Sequence, residues 1–244
     1  MPLSVSSPAR GIATVTLDFP ERRNALSPKL LAALAEALDG LGGDPGVRAV
    51  LLTHTGTTFC SGADLKEPPD PAAFVALLRR IVTLPQPVVA RVDGHVRAGG
   101  LGLLGVCDLA VAGPGASFAF TEVHIGVAPA VISLPLLPRL DPGAASRYFL
   151  TGERFDGAEA ARIGLVTAYA ADADEALRPL LDGLRAAAPG ALAETKKLLT
   201  ARVLDAFDDQ SEAVMALSAR LFGSAEAREG MTAFLERRER PWVL

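Results

Sequence analysis

Three short segments carry residue types from which a site for a negatively charged intermediate could be built. The first is Phe59-Cys60-Ser61-Gly62-Ala63-Asp64-Leu65-Lys66, where a glycine among small residues lets a ligand approach bare backbone. The same segment also reads as a plain strand-to-helix loop with Asp64 as its cap. The second is Val92-Asp93-Gly94-His95-Val96-Arg97-Ala98-Gly99-Gly100-Leu101-Gly102-Leu103. Two glycines at the start of an apolar helical run expose N–H donors, and the helix dipole favours negative charge there. Tight packing of helix on sheet would use the same glycines. The third is Phe120-Thr121-Glu122-Val123-His124-Ile125-Gly126-Val127-Ala128-Pro129, with one carboxylate in an apolar stretch. Glutamate usually lies at the surface or caps a helix. In a dry site its pKa rises and it becomes a general acid/base.

The elements needed to position these segments are legible around them. Residues 3–7 and 12–17 read as strands about the turn Pro8-Ala9-Arg10-Gly11, the second rich in β-branched residues. Ser27-Pro28 starts a helix, Leu31, Leu34, Leu38 and Leu41 mark one face, and Gly42-Gly43 ends it. Strands are expected at 48–53, 87–92, 109–112 and 117–118, with a helix at 71–84. Helical patterns follow at 143–150, 157–163, 174–187, 190–203 and 208–222, interrupted by a strand-like Val166-Thr167-Ala168-Tyr169. Strand–helix alternation in the first half favours parallel pairing with crossover helices. The expectation is an α/β core over 1–190 followed by a helical region over 191–244.

Composition narrows the function. Half of the 244 residues are hydrophobic, which is ample for a core, and the net charge is −4, with no basic stripe suited to nucleic acid. Cys60 and Cys107 have no metal-ligand spacing and make no disulfide framework, in keeping with a reducing cytoplasm and with no bound metal. Met1 to Arg10 lack the pattern of a signal peptide, and no apolar run is long enough to span a membrane.

Taken together, Ser61-Gly62-Ala63-Asp64, Gly99-Gly100 and Glu122 resemble, in order and spacing, the enoyl-CoA hydratase/isomerase (crotonase) family. So do Asn24-Ala25-Leu26, Cys107-Asp108-Leu109, Thr151-Gly152 before Ala158-Glu159-Ala160, Ile163-Gly164-Leu165-Val166 and Ala227-Arg228-Glu229-Gly230, which extends the likeness over nearly the whole chain. The resemblance implies a crotonase-like spiral of ββα repeats with a helical C-terminal region. It implies that the N–H groups of Ala63 and Gly99 bind the carbonyl oxygen of an acyl-CoA thioester and that Glu122 moves protons. A thioester enolate carries negative charge on that oxygen, and losing one preorganised donor typically costs about 3–4 kcal/mol of barrier. Small residues suit such a place because the thioester must lie against backbone. The resemblance further places Arg22, Arg23, Ala25, Ser61, Asp64, Leu65, Lys66 and Gly100 along the substrate, with Arg22, Arg23 and Lys66 as neighbours of the CoA phosphates. Each of those cations reads equally well as solvated surface charge. Coenzyme A arrives with the substrate, so no separate cofactor is implied. The family commonly forms trimers or dimers of trimers, and apolar residues such as Leu192, Leu198, Leu199, Val203, Val214, Leu217 and Leu221 could serve such contacts or close the protein's own core.

The pattern departs from many hydratases of that family at Gly102. They carry a second glutamate three residues after the oxyanion glycine, and here only Glu122 is present. Either Glu122 alone serves hydration of a trans-2-enoyl-CoA, or the chain is a Δ3,Δ2-enoyl-CoA isomerase that takes a proton from C2 and returns it at C4. A non-catalytic acyl-CoA-binding protein is a further alternative. The dehalogenase and dienoyl-isomerase branches fit less well, since Val127 to Leu137 contains no acid. His54, His95 and His124 are needed by none of these mechanisms. A glutamate placed at 102, one turn beyond Gly99, is expected to face the thioester and hold a water.

Overall fold

The computed structural model describes residues 2–244. The chain opens with the antiparallel pair Leu3–Val5 (β1) and Ile12–Leu17 (β2). Helix α1, Pro28–Gly43, starts where Ser27 Oγ accepts the N–H of Leu30 at 3.2 Å, and it buries Leu30, Leu31, Leu34, Leu38 and Leu41. That is the face the leucine spacing predicts.

Three strand pairs follow. Ala49–His54 (β3) and Thr58–Cys60 (β4) lead to helix Pro71–Thr83 (α2). Val88–Val92 (β5) and His95–Arg97 (β6) lead to helix Gly99–Gly105 (α3). Leu109–Ala112 (β7) and Ser117–Ala119 (β8) lead to a 3-10 turn, Thr121–Ile125, and helix Ala130–Leu136 (α4). The first strand of each pair joins one sheet, in the order β1-β2-β3-β5-β7, and the second joins another, in the order β4-β6-β8. Within each run from β2 onward the pairing is parallel. This is the spiral of ββα repeats that the resemblance implies. Helix Pro142–Thr151 (α5) then precedes Phe155–Asp156 (β9), which pairs antiparallel with β8. Helix Gly157–Arg162 (α6), the short strand Ala168–Tyr169 (β10) beside β7, and helix Ala173–Ala186 (α7) complete the layers.

The last elements are helices Pro189–Phe222 (α8) and Ala225–Glu236 (α9). The two helices expected over 190–203 and 208–222 are one, 34 residues long. At 1.5 Å per residue it is about 50 Å in length. Its inward face is Lys196, Thr200, Val203, Ala206 and Phe207, whereas Leu198 and Leu199 are exposed. Lys196 is anchored in the interior: its ammonium donates to the carbonyls of Ile81 and Gln86 and pairs with Asp108 at 2.8 Å. Asp108 also accepts the N–H of Val88 at 2.7 Å, so one part-buried carboxylate joins β5, the segment after α3 and α8. No helix among the described residues is long and apolar enough to cross a membrane.

Candidate active site

The small sheet sets out the site. Its strands β4, β6 and β8 are parallel neighbours, with Cys60 beside Val96 and Arg97 beside Ala119. Ala63 follows the end of β4 by three residues, Gly99 follows β6 by two, and Glu122 follows β8 by three. Adjacent strands lie about 4.8 Å apart. The three segments singled out in the sequence therefore emerge together, from the carboxyl ends of neighbouring parallel strands. Ligands of parallel α/β sheets generally bind at such ends.

The Ala63 N–H is freed by its neighbours' pairing. Leu26 donates its N–H to Gly62 O at 2.8 Å, and Asp64 donates to Leu26 O at 2.9 Å, a one-residue parallel bridge. Alternation along an extended chain turns the Ala63 N–H to the opposite side. It has no acceptor among the described residues, and Ala63 is exposed. The Gly99 N–H opens α3, where no preceding turn supplies an acceptor, and it too is unbonded. The two segments touch. A Cβ on Gly62 would stand 3.2 Å from Gly99 N and 2.6 Å from Ala98 Cβ, so glycine is required there for closeness as well as for its φ of +92°. Ala98 itself is held at φ 46°, ψ −124°, a conformation that L residues avoid and that costs on the order of 1–3 kcal/mol. Strain at the residue before Gly99 fixes where that N–H points.

Asn24 ties the segment before α1 to the β3–β4 turn that precedes the Ala63 loop, a role the sequence did not disclose. Fully buried at φ 50°, it accepts the N–H of Phe19 at 2.8 Å and donates to Thr55 O and Thr58 O at 3.2 and 2.7 Å. Asp64 braces the loop also: its carboxylate accepts the Lys66 N–H at 2.9 Å and pairs with Arg22 at 3.1 Å. The Lys66 N–H, ahead of Arg22, holds its pKa below the usual carboxylate value. Gly100 is buried against Cys60, where a Cβ would stand 2.6 Å from Cys60 O. Ser61 donates its N–H to Arg23 O at 3.1 Å, and Ala25 donates to Arg22 O at 3.1 Å. Arg23, Leu65 and Lys66 are exposed on this loop cluster, and Arg22 is partly so. Thus Asp64 and Gly100, expected along the substrate, are engaged by the protein itself.

Glu122 sits in the 3-10 turn, 8% exposed, and its Oε2 has no hydrogen-bond partner among the described residues. Burial raises its pKa to about 7. A carboxylate poised near neutrality suits proton transfer in either direction. Its turn is pressed by α9: a Cβ on Gly126 would stand 2.6 Å from the Glu226 carbonyl carbon, and one on Gly230 2.6 Å from that of Ile125. His124 Nε2 reaches Thr151 O at 2.7 Å, and His54 Nε2 accepts the Asp93 N–H at 3.1 Å, so both have structural bonds.

Gly102 corrects one expectation. Space for a glutamate there is not open, because a Cβ would stand 2.8 Å from Ile132 Cγ2. No set of three metal-ligating side chains occurs among the described residues. A shallow cleft of about 630 Å³, lined by Ser117, Arg154, Phe155 and their neighbours, contains none of the site residues.

Comparison with known proteins gives the family. Residues 8–243 match the family model described as enoyl-CoA hydratase/isomerase. The (E)-benzylidenesuccinyl-CoA hydratase of Thauera aromatica is 35% identical, over 93% of each chain. The carnitinyl-CoA dehydratase of Proteus mirabilis is 30% identical over 95% of this chain and 94% of that one. The crystal structure of an enoyl-CoA hydratase from Mycobacterium avium superposes with a TM-score of 0.95 at 49% identity, over 99% of both chains. On sequence, fold and the placement of its three motifs, this chain belongs to the enoyl-CoA hydratase/isomerase family of acyl-CoA-processing enzymes.

Proposed function

We propose that the chain hydrates trans-2-enoyl-CoA thioesters with Glu122 as its one carboxylate acid/base. The observation that carries this reading is the buried Glu122, its Oε2 without a partner, in the turn that follows β8, one strand over from the unbonded Gly99 N–H after β6 and two from the unbonded Ala63 N–H after β4. The Ala63 and Gly99 N–H groups donate to the thioester oxygen. Glu122 takes a proton from water as the water oxygen bonds to C3. The C2–C3 π electrons move to C2 and the carbonyl, and the enolate oxygen is held by the two donors. Glu122 then gives its proton to C2, which restores the thioester and the carboxylate. The names of the similar proteins, hydratases and a dehydratase, support this direction of chemistry.

Isomerisation is the second reading, and Gly102 favours it. With Ile132 where a second acid would reach, a proton shuttle from C2 to C4 of a 3-enoyl-CoA needs only Glu122 and no activated water. Products formed from a panel of 2-enoyl-CoA and 3-enoyl-CoA esters decide between the two. Mass gain of water from the 2-enoyl esters supports hydration, and double-bond migration alone overturns it.

Coenzyme A enters as part of the substrate, with Arg22, Arg23 and Lys66 as its phosphate neighbours. We assign 1–190 to the acyl-CoA core and 191–244 to site closure and assembly as a homotrimer or dimer of trimers. The exposed Leu198 and Leu199 on α8 support such an assembly. The two buried free thiols suit a cytoplasmic setting.

A further inference from the structure

The face of α3 that carries Gly99 and Gly102 is covered by carbon. A Cβ on Gly102 would stand 2.8 Å from Ile132 Cγ2, 3.3 Å from Ile132 Cβ and 3.4 Å from Phe74 Cζ. One turn earlier, a Cβ on Gly99 would stand 3.5 Å from the same Phe74 Cζ and 2.8 Å from Leu26 Cδ1. The tip of one phenyl ring thus lies over both glycines. Phe74 comes from the first turn of α2 and Ile132 from the first turn of α4, and they are 7% and 4% exposed. Two helices from different repeats therefore converge on the helix that presents the Gly99 N–H.

We infer that Phe74 and Ile132 are specificity-determining residues, the apolar wall that limits the bulk of the acyl group beside the thioester. The inference rests on the reading that the Gly99 N–H holds the carbonyl oxygen. A hydrogen bond of about 2.9 Å to that N–H leaves C2 to C4 of the acyl chain only a few bonds from the ring and the isoleucine. A flat, straight enoyl chain can lie along such a wall. A methyl branch or a long tail must displace Phe74 or Ile132, which are held in a close-packed core where an added methylene is felt. Bulk is therefore selected by two side chains that stand where a second carboxylate would reach.

The test measures binding and turnover separately. Butanoyl-CoA, 3-methylbutanoyl-CoA and octanoyl-CoA, none of which can react, are titrated by calorimetry into wild type, Phe74→Ala, Phe74→Leu and Ile132→Ala, and kcat/KM is measured for the matching 2-enoyl esters. Wild type should bind butanoyl-CoA best. Each trimmed variant should gain at least about tenfold for the branched or long ester relative to butanoyl-CoA, the low end of what a methylene-sized change does in an apolar pocket. Circular dichroism checks folding. If an alanine variant does not fold, Phe74→Leu and Ile132→Val carry the same comparison. Unchanged discrimination among folded variants overturns the inference. The proposed reaction fails separately: a wild type with the expected binding profile but no turnover of any enoyl ester supports the wall and refutes the chemistry. Failure to bind any of the esters overturns both.

Discussion

The segments that leave the ends of β4 and β6 and the one that leaves β8 are held by different means. The first two present the proposed oxyanion donors, which are backbone, and the third presents Glu122, which is a single side chain. The donors are fixed by close approach. Gly62 lies on Ala98 and Gly99, Gly100 lies on Cys60, and Asn24 spans the loops before β4. Everything that sets them comes from the first hundred residues of the chain. The acid is set from a hundred residues downstream, where α9 presses its backbone onto Gly126 and Ile125 and Arg240 donates to His124 O at 3.1 Å. A backbone donor cannot be removed by trimming a side chain, whereas an acid can. The donor side should thus be sensitive only to proline and to added Cβ atoms, and the acid side to its own residue and to the C-terminal helix.

Glu122→Gln should have the largest effect. Turnover should fall about 10²–10⁴-fold, while binding of a saturated acyl-CoA is retained, because the amide keeps the shape. Near-normal turnover would remove the acid from its side of the comparison. Ala63→Pro deletes one N–H and should lower kcat by roughly 10²–10³-fold. Its pH profile should keep the wild-type midpoint, since Glu122 is untouched. A folded Ala63→Pro protein of unchanged rate would mean that the thioester oxygen lies elsewhere.

The pH dependence separates the two sides further. Glu122 must be ionised to accept a proton, so kcat/KM should rise with pH through about 7 and then level off. Stability runs the other way. The pKa is raised in the folded state above an unfolded value near 4.3, so the folded protein holds more protons between those limits. The favourable contribution is whole below about pH 4 and is lost as pH rises through about 7, at a cost of no more than about 4 kcal/mol. Glu122→Gln should therefore melt higher than wild type at pH 8 while being nearly inactive. Equal melting temperatures there would show that the carboxylate is better solvated than its burial indicates.

Smaller effects are expected where packing is touched. Gly230→Ala pushes a methyl group onto Ile125 and should cost about 1–3 kcal/mol of stability, as overpacking does. Because it moves the turn of Glu122, it should also shift the pH midpoint of kcat/KM. A lower melting temperature with an unmoved midpoint would mean that α9 supports the fold but not the acid. Gly102→Glu should likewise lose about 1–3 kcal/mol against Ile132. Gains in hydration should appear only in the double variant Gly102→Glu/Ile132→Ala. A faster hydratase from the single change would show that Ile132 yields readily.

The sequence disclosed what is local and concealed what is not. Helix α1 was legible because Ser27, Pro28 and four spaced leucines each signal it. Strands β4 and β6 were not, since each has three residues inside a glycine-bearing loop, too few to show a period. Helix α4 was masked by Pro129 before it and Pro135 within it. Helix α9 lies in the region expected to be helical, but its bounds were blurred by Gly230, which reads as a breaker although it packs closely on Ile125. The break expected near 203–208 is absent because that stretch holds acids but neither glycine nor proline, so the helix runs on. For the candidate site, motif order pointed to the segments of Ala63, Gly99 and Glu122, which the fold brings out from neighbouring strands. Asn24 was marked as family-like, but its bonds to Thr55 and Thr58, and the contacts of Phe74 and Ile132 with α3, cross long sequence separations that nothing local signals.

The pair of the buried Lys196 and the part-buried Asp108 bears on how the chain becomes folded. Cutting the chain before α8 would leave the part-buried Asp108 carboxylate without its counter-charge, and the carbonyls of Ile81 and Gln86 without their donor. A polar group left without its partner in a part-buried place costs on the order of 1–3 kcal/mol, so the α/β core should be less stable alone than with α8 in place. Amide protons in the Lys196 to Phe207 turns of α8 should exchange together with those of β5 and β7, as one cooperative block. During synthesis the Asp108 carboxylate must wait for a further 88 residues, 196 − 108, before its counter-charge exists, and for that interval the core depends on whatever shields nascent chains from one another.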